Sequence, residues 1–488
     1  MSERRAAVGG VDVATGHFIN NEWIDSPTTF EDRSPLDWNL KLADVARASP
    51  IEAFAAVAAA LEAFGAWSAL SPTDRRVYLH RLADLIDANV ERIAVVECLD
   101  MGMLEESLRL RVIARGARNF RAYADLAVKY HGRTWDSNTT HNTVLRMPSG
   151  PTVVITPWNA PFMLSTWKCA PALAAGNTVV LKPAEWSPLS CSILMDLVLE
   201  AGIPPGVFNL VQGLGGEAGA ALVADPRVRR ISFTGSPETG RSIGVCAARN
   251  LVPFAAELGG KGPFVVYADA DLELAATKAA LMYDDAGQVC LAGTRLLVEE
   301  SVRDEFLARF TRETERHVLG DSRESSTTIS PLIHPEHLAR VEGFVARSVA
   351  AGDRVIFGGT RYRDDGLWFT PTLIEPLSND AEIVQHEVFG PVLTIQTFHS
   401  ESEAIELANS TKYGLSAMVF TTSRAKADRF AEGVRAGTIW VNSFLIRDLS
   451  APFGGAGISG IGREGGDYAL DFYSDLKTYQ VKEGTTHG

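Results

Sequence analysis

Between residues 51 and 130 apolar positions recur at helical spacing, as in Ile51, Phe54, Val57, Ala58 and Leu61 and again in Val77, Leu82, Leu85 and Ile86. This predicts a helical lead-in. From residue 152 the pattern changes to short apolar runs at 153–155, 179–181, 207–211 and 231–233, separated by helix-length segments. That alternation is the signature of βαβ units and a parallel sheet. A second alternating block begins at 263–267 and continues through 295–298, 417–420 and 439–441, predicting a second α/β domain. The polar segments 131–146 and 471–481 fit neither rhythm and are expected to be paired edge strands that join subunits. No internal repeat is visible, and glycine clusters near Gly213 and Gly454 mark loops.

At 488 residues the chain exceeds what one core usually serves, so two large domains and a smaller element are expected. Hydrophobic residues at 46% and charged residues at 22% are ordinary for a globular protein. A net charge of -14 opposes attraction to nucleic acid or to anionic lipid, so neither is expected as a partner. Residues 1–16 lack the apolar stretch of a secretory signal, and no run reads as long enough to span a bilayer. The five cysteines include no C-x-x-C pair, which fits a reducing cytoplasm.

Two glycine loops follow predicted strands and open helices. Gly213-x-Gly215-x-x-x-Gly219 is one residue too long for a dinucleotide fingerprint, whereas Phe233-Thr234-Gly235-Ser236-Pro237-Glu238-Thr239-Gly240 would offer backbone N–H groups to a pyrophosphate. Either could equally be a plain turn closing a βα connection. Cys290 lies among small residues in Gly287-Gln288-Val289-Cys290-Leu291-Ala292-Gly293, a setting that could leave a thiol reachable. Cys98, Cys169, Cys191 and Cys246 read as inert core residues. Glu257 ends an apolar run just before Gly259-Gly260, at the carboxyl end of a probable strand, where open α/β sheets bind ligands. His334-x-x-His337 beside Pro335 has no third ligand in view and reads as a loop, with no metal expected. Walker and G-x-S-x-G patterns are absent.

Together these residues resemble the aldehyde dehydrogenase superfamily over nearly the whole chain. The resemblance rests on Thr156-Pro157-Trp158-Asn159-Ala160-Pro161-Phe162, Lys182-Pro183-Ala184-Glu185, Phe233-Thr234-Gly235-Ser236, Glu257-Leu258-Gly259-Gly260-Lys261, Gly287-Gln288-Val289-Cys290, Glu387-Val388-Phe389-Gly390-Pro391 and Pro452-Phe453-Gly454-Gly455, in that order. It implies an α/β protein with a Rossmann-like NAD-binding domain (1–130 and 150–258) and an α/β catalytic domain (259–445). A small β oligomerisation element (131–149 and 468–488) would assemble a homodimer or homotetramer. Cys290 would be the nucleophile, Glu257 the base that activates water, and Asn159, with the Cys290 N–H, the oxyanion donor. Lys182 and Glu185 would meet the adenosine ribose, Gly235 and Ser236 the pyrophosphate, Glu387 and Phe389 the nicotinamide ribose, with Ile155, Trp158 and Leu258 lining the cleft. NAD is expected over NADP, which stays possible, because Glu185 would repel a 2′-phosphate.

Within the superfamily, the segment from Asn442 to Gly455 is similar to dehydrogenases of hydroxy- and aminomuconic semialdehydes, whose substrates carry carboxylates. On that resemblance Arg115 and Arg447 would hold a small acidic aldehyde, with Phe162, Trp167, Leu291 and Phe444 as apolar walls. A general aliphatic or aromatic aldehyde dehydrogenase is the alternative, and a catalytically silent cofactor-binding relative is a further one. A thioester-using acyltransferase would keep Cys290 without needing Glu257. Two departures stand out: Asp285 where Asn is frequent, a carboxylate that could raise the thiol pKa, and Gly457 where Lys is common.

Overall fold

The computed structural model describes residues 4–129 and 132–482. Two parallel-rich sheets dominate it, each covered by helices. The first has eight strands in the order Gly460–Ile461, Phe254–Glu257, Arg230–Thr234, Pro151–Ile155, Thr178–Lys182, Phe208–Leu210, His17–Ile19 and Glu22–Ile24. Its five central strands run parallel. The chain enters at Pro151–Ile155, adds strands on one side through Phe208–Leu210, then crosses to Arg230–Thr234 on the other. The crevice at such a reversal is where α/β sheets hold ligands.

The second sheet has seven strands in the order Arg354–Phe357, Thr372–Glu375, Val392–Phe398, Arg295–Glu299, Pro263–Val266, Ser416–Phe420 and Thr438–Val441. All but the first are parallel. Its central strands are buried on both faces, which is why they read as unbroken apolar runs. A third sheet pairs Ser474–Lys482 with Thr140–Pro148 and Thr134–Ser137, all antiparallel. The two segments that fitted neither rhythm thus pair with each other; His131 and residues 483–488 lie outside the described residues.

The lead-in differs from expectation in two ways. Six short strands occupy the stretch from Arg5 to Ala46, before any helix, and two of them, His17–Ile19 and Glu22–Ile24, extend the first sheet. The helix Pro50–Ala69 forms where its capping box, Ser49 with Glu52, directs it. Its buried face is Ala53, Ala56, Val57 and Ala60, while Ile51, Phe54 and Leu61 point outward. Val153, Val180 and Val211 of the sheet supply the bulk in that cluster, and alanines let the helix axis approach closely. Spacing located this helix but not its inner face. By length and composition the same helix could cross a membrane, a correction to the sequence reading; here it packs on the first sheet.

Candidate active site

The carboxyl ends of the first sheet converge on the thiol loop of the second. Asn159 follows the strand Pro151–Ile155 and precedes the helix Pro161–Ala174. Its side-chain amide donates to the Gln288 carbonyl at 2.9 Å. One of its two N–H bonds is thereby spent on the loop that carries Cys290, and the other remains for a ligand. Gln288 anchors that loop, donating to the carbonyls of Asp285 and Pro331 and accepting from the Ile333 N–H. Asp285, Ala286 and Gly287 all take positive φ. A side chain at Gly287 would come within 2.3 Å of the Gly390 carbonyl, so the turn demands glycine.

Glu257 ends its strand with its carboxylate facing Gly454, where a Cβ would stand 2.8 Å from Oε1. Oε2 is buried with no hydrogen-bond partner. Burial, followed by the charge of Glu464, holds this carboxyl well above the usual range, against Lys168, Arg463 and Arg447. Lys168 donates to Ser232 Oγ at 3.2 Å and pairs with Glu464, which also accepts from the Trp167 indole N–H. A buried ion pair therefore lies behind Glu257. Cys290 is pushed up to about 12 by burial and by the carboxylates of Glu387 and Glu257, with Arg447 opposing. Those carboxylates, rather than Asp285, raise the thiol; Asp285 itself is raised to about 6 by burial, with Arg111 as its balancing cation.

Toward the reversal point of the first sheet, Lys182 Nζ pairs with Glu185 Oε2 at 2.9 Å, and Glu185 Oε1 accepts from the Gly215 N–H at 3.3 Å. Ser236 caps the helix Pro237–Arg249, accepting from the Thr239 N–H. Leu258 packs beneath Gly240, and Ile155 faces Gly219. Trp158 meets the Phe389 ring edge-on at 5.2 Å. Glu387 Oε1 accepts from the Gly260 N–H at 2.7 Å, close to Gly259 as well.

Residues 23–479 match the model of the aldehyde dehydrogenase family. The chain is 40% identical over 481 residues to a 2-hydroxymuconic semialdehyde dehydrogenase of Pseudomonas sp. (strain CF600), covering 96% of this chain and 99% of that one. This chain belongs to the aldehyde dehydrogenase family. It is also 42% identical to a betaine aldehyde dehydrogenase of Bacillus subtilis, over 94% of this chain and 96% of the relative. The solved structure of an indole-3-acetaldehyde dehydrogenase from P. syringae, in complex with NAD+ and IAA, superposes with a TM-score of 0.94 at 37% identity, covering 96% and 97% of the two chains. The fold is thus the aldehyde dehydrogenase fold, and the protein is an oxidoreductase that converts aldehydes to acids.

Arg115 and Arg447, expected to hold the substrate, both lie against the Trp167 ring, at 5.4 and 5.7 Å from its centroid. Arg447 also covers Phe453 at 3.7 Å. Arg115 is lowered to about 10 by burial and by the nearby Arg447 charge. Among the described residues neither guanidinium pairs with a carboxylate; Arg115 donates only to the Asn119 amide oxygen. Leu291 is buried in the thiol loop, and Phe444 rests edge-on against Trp440. Phe162 departs from its expected role as a cleft wall: it has no exposed surface and packs on Gly116 inside the core.

Three features escaped the sequence reading. Lys168 carried a signal, a lone cation in the apolar helix Pro161–Ala174, since buried lysines need a partner. Glu464 carried none. His334 and His337 form the start of the helix Pro335–Ala350, not a loop, because Pro335 occupies its first turn. The Gly457 departure has a structural reason: φ is +60° there and a Cβ would come within 2.4 Å of the Lys412 carbonyl, leaving no room for Lys.

Proposed function

We propose that the enzyme oxidises a small acidic semialdehyde of muconic type with NAD, through a thioester on Cys290. The observation that carries the substrate class is the pair of half-buried guanidinium groups of Arg115 and Arg447, 5.4 and 5.7 Å from the Trp167 ring centroid and neither in an ion pair among the described residues. Two like charges brought together with no ion pair of their own raise the free energy of the empty site, and a ligand carboxylate relieves it. The relative named for 2-hydroxymuconic semialdehyde supports the same reading.

The cleft fits NAD. A Cβ on Gly216 would meet nothing within 4 Å, so the backbone there is open to a phosphate-bearing ligand. The first turn of the helix Pro237–Arg249 adds N–H donors, and Lys182 with Glu185 offers a donor and an acceptor for ribose hydroxyls. NADP would bring its 2′-phosphate against the Glu185 carboxylate. NAD, when bound, supplies the hydride acceptor.

The rest is the work of the chain. The Cys290 thiol gives up its proton to water, with the Arg447 charge favouring the thiolate, and Glu257 stays free to act as a base. The thiolate bonds to the aldehyde carbon, and the second Asn159 N–H with the Cys290 backbone N–H holds the resulting oxyanion. Collapse expels hydride and leaves the thioester. Glu257 then draws a proton from water, which adds to the thioester carbon and releases the acid and the thiol.

We further propose the division into an NAD-binding domain, a catalytic domain and an oligomerisation element given above. The three-stranded sheet exposes Trp135, Leu145, Met147, Leu476 and Tyr479, which suits a dimer or tetramer contact. Five free cysteines suit a reducing cytoplasm. The functional test is a comparison of kcat/KM for hydroxymuconic semialdehyde and for an uncharged aldehyde of similar size, read at the reduced-nicotinamide absorbance. A tenfold or greater preference for the acid is expected; equal values would reassign the enzyme to general aldehydes.

A further inference from the structure

The helix Pro335–Ala350 touches both ends of the dinucleotide cleft. At its start the His334 ring accepts from the Glu336 N–H and stacks face to face on Trp186, with centroids 4.5 Å apart and planes within 4°. Trp186 adjoins Glu185. One turn on, His337 is buried and sits edge-on to Trp158 at 5.2 Å. Its Nε2 is 2.7 Å from the Phe389 carbonyl oxygen. A carbonyl only accepts, so Nε2 carries the proton and the ring is a donor in a fixed tautomer. Arg340 follows, donating to the Glu387 carbonyl at 2.8 Å and the Val388 carbonyl at 3.2 Å.

Three consecutive carbonyls of Glu387–Val388–Phe389 are therefore bound by two side chains of one helix. The segment needs such restraint. Phe389 has φ +61°, a left-handed conformation that a non-glycine residue holds only when its surroundings impose it. The far side is closed as well, since Gly390 abuts Val341 and the thiol-loop Gly287. Among the described residues no metal-binding group forms around the two histidines.

We propose that His337 and Arg340 are positioning residues for NAD: they hold the Glu387–Phe389 segment in its strained form, while His334 on Trp186 fixes the distance from that segment to the Lys182–Glu185 end. The inference rests on the cofactor reading above. Its consequence is a split in which cofactor affinity depends on this helix and aldehyde affinity does not.

Calorimetric titration with NAD, together with steady-state KM for NAD and for aldehyde, tests it. His337→Ala should weaken NAD binding roughly threefold to tenfold, the worth of one hydrogen bond. His337→Gln, whose amide can reach the same carbonyl, should restore most of it. Arg340 is exposed, so Arg340→Met folds readily and should weaken NAD binding by about tenfold. The aldehyde KM should hold steady throughout. If both variants bind NAD as the unaltered enzyme does, or if aldehyde KM moves in step with NAD KM, the positioning role is wrong. Failure of the unaltered enzyme to bind NAD would instead overturn the cofactor reading.

Discussion

The two sides of the site are wired in opposite ways. On the cofactor side nearly every polar group already has a partner: Lys182 with Glu185, Glu185 with Gly215, Glu387 with Gly260, His337 with Phe389. On the side proposed to react, Arg115 and Arg447 have no ion pair among the described residues, Glu257 Oε2 is buried without a partner, and burial pushes the Cys290 thiol pKa up. The first arrangement is a preformed mould, in which a ligand exchanges one set of hydrogen bonds for another at small net gain. The second stores unfavourable electrostatics that only the substrate and the transition state relieve. Substitutions on the two sides should therefore differ in kind as well as in size.

The largest effect belongs to the thiol. Cys290→Ala should abolish aldehyde oxidation while NAD affinity, measured by calorimetry, stays near that of the unaltered enzyme. Turnover close to the native rate would remove the covalent route altogether. Next comes Glu257→Gln, which should slow steady turnover by about 10²- to 10⁴-fold, the usual loss of a general base. Rapid mixing should still show a hydride burst, and mass spectrometry an acyl adduct on Cys290. Failure of the burst would assign Glu257 to thiol activation instead of to water.

Arg447→Ala removes one of the two unpaired cations. A charge-assisted bond contributes about 1.5 to 3 kcal/mol, so KM for hydroxymuconic semialdehyde should rise more than tenfold while an uncharged aldehyde is little affected. An unchanged preference would make Arg447 a packing residue over Phe453. The smallest effect is expected on the cofactor side. Glu185→Ser removes the carboxylate that opposes a 2′-phosphate, and the NAD over NADP ratio in kcat/KM should fall by roughly tenfold, about 1.4 kcal/mol. If the ratio holds, discrimination lies elsewhere than in this carboxylate.

What could be read from sequence follows the same divide between local and distant causes. The strands at 151–155, 178–182 and 263–266 were legible because a parallel strand buried on both faces must be apolar throughout. The motifs that carry Cys290, Glu257 and Asn159 could be read from sequence because each is contiguous. The short strands before Ala46 were not, since each is a few residues of mixed polarity whose pairing partner sets its conformation. The Lys168–Glu464 pair was hidden because neither residue is near the other in the chain and the burial that makes the pair matter is a tertiary property. The stretch at His334 and His337 was read as a loop, although Pro335 sits at the first turn of a helix, where its missing N–H costs nothing.

The antiparallel pairing of Glu257 with Gly460 also bears on when this enzyme becomes reactive during its own synthesis. Arg447, Gly454 and Glu464, which set the surroundings of Cys290 and Glu257, all leave the ribosome well after the thiol does. At typical elongation rates of 5–20 residues per second the interval is on the order of ten seconds. Through that interval the nascent thiol lacks Arg447 beside it, and the nascent Glu257 lacks both the edge strand and the charge of Glu464. With the roles proposed above, a half-made chain carries the nucleophile before the groups that would surround it have left the ribosome.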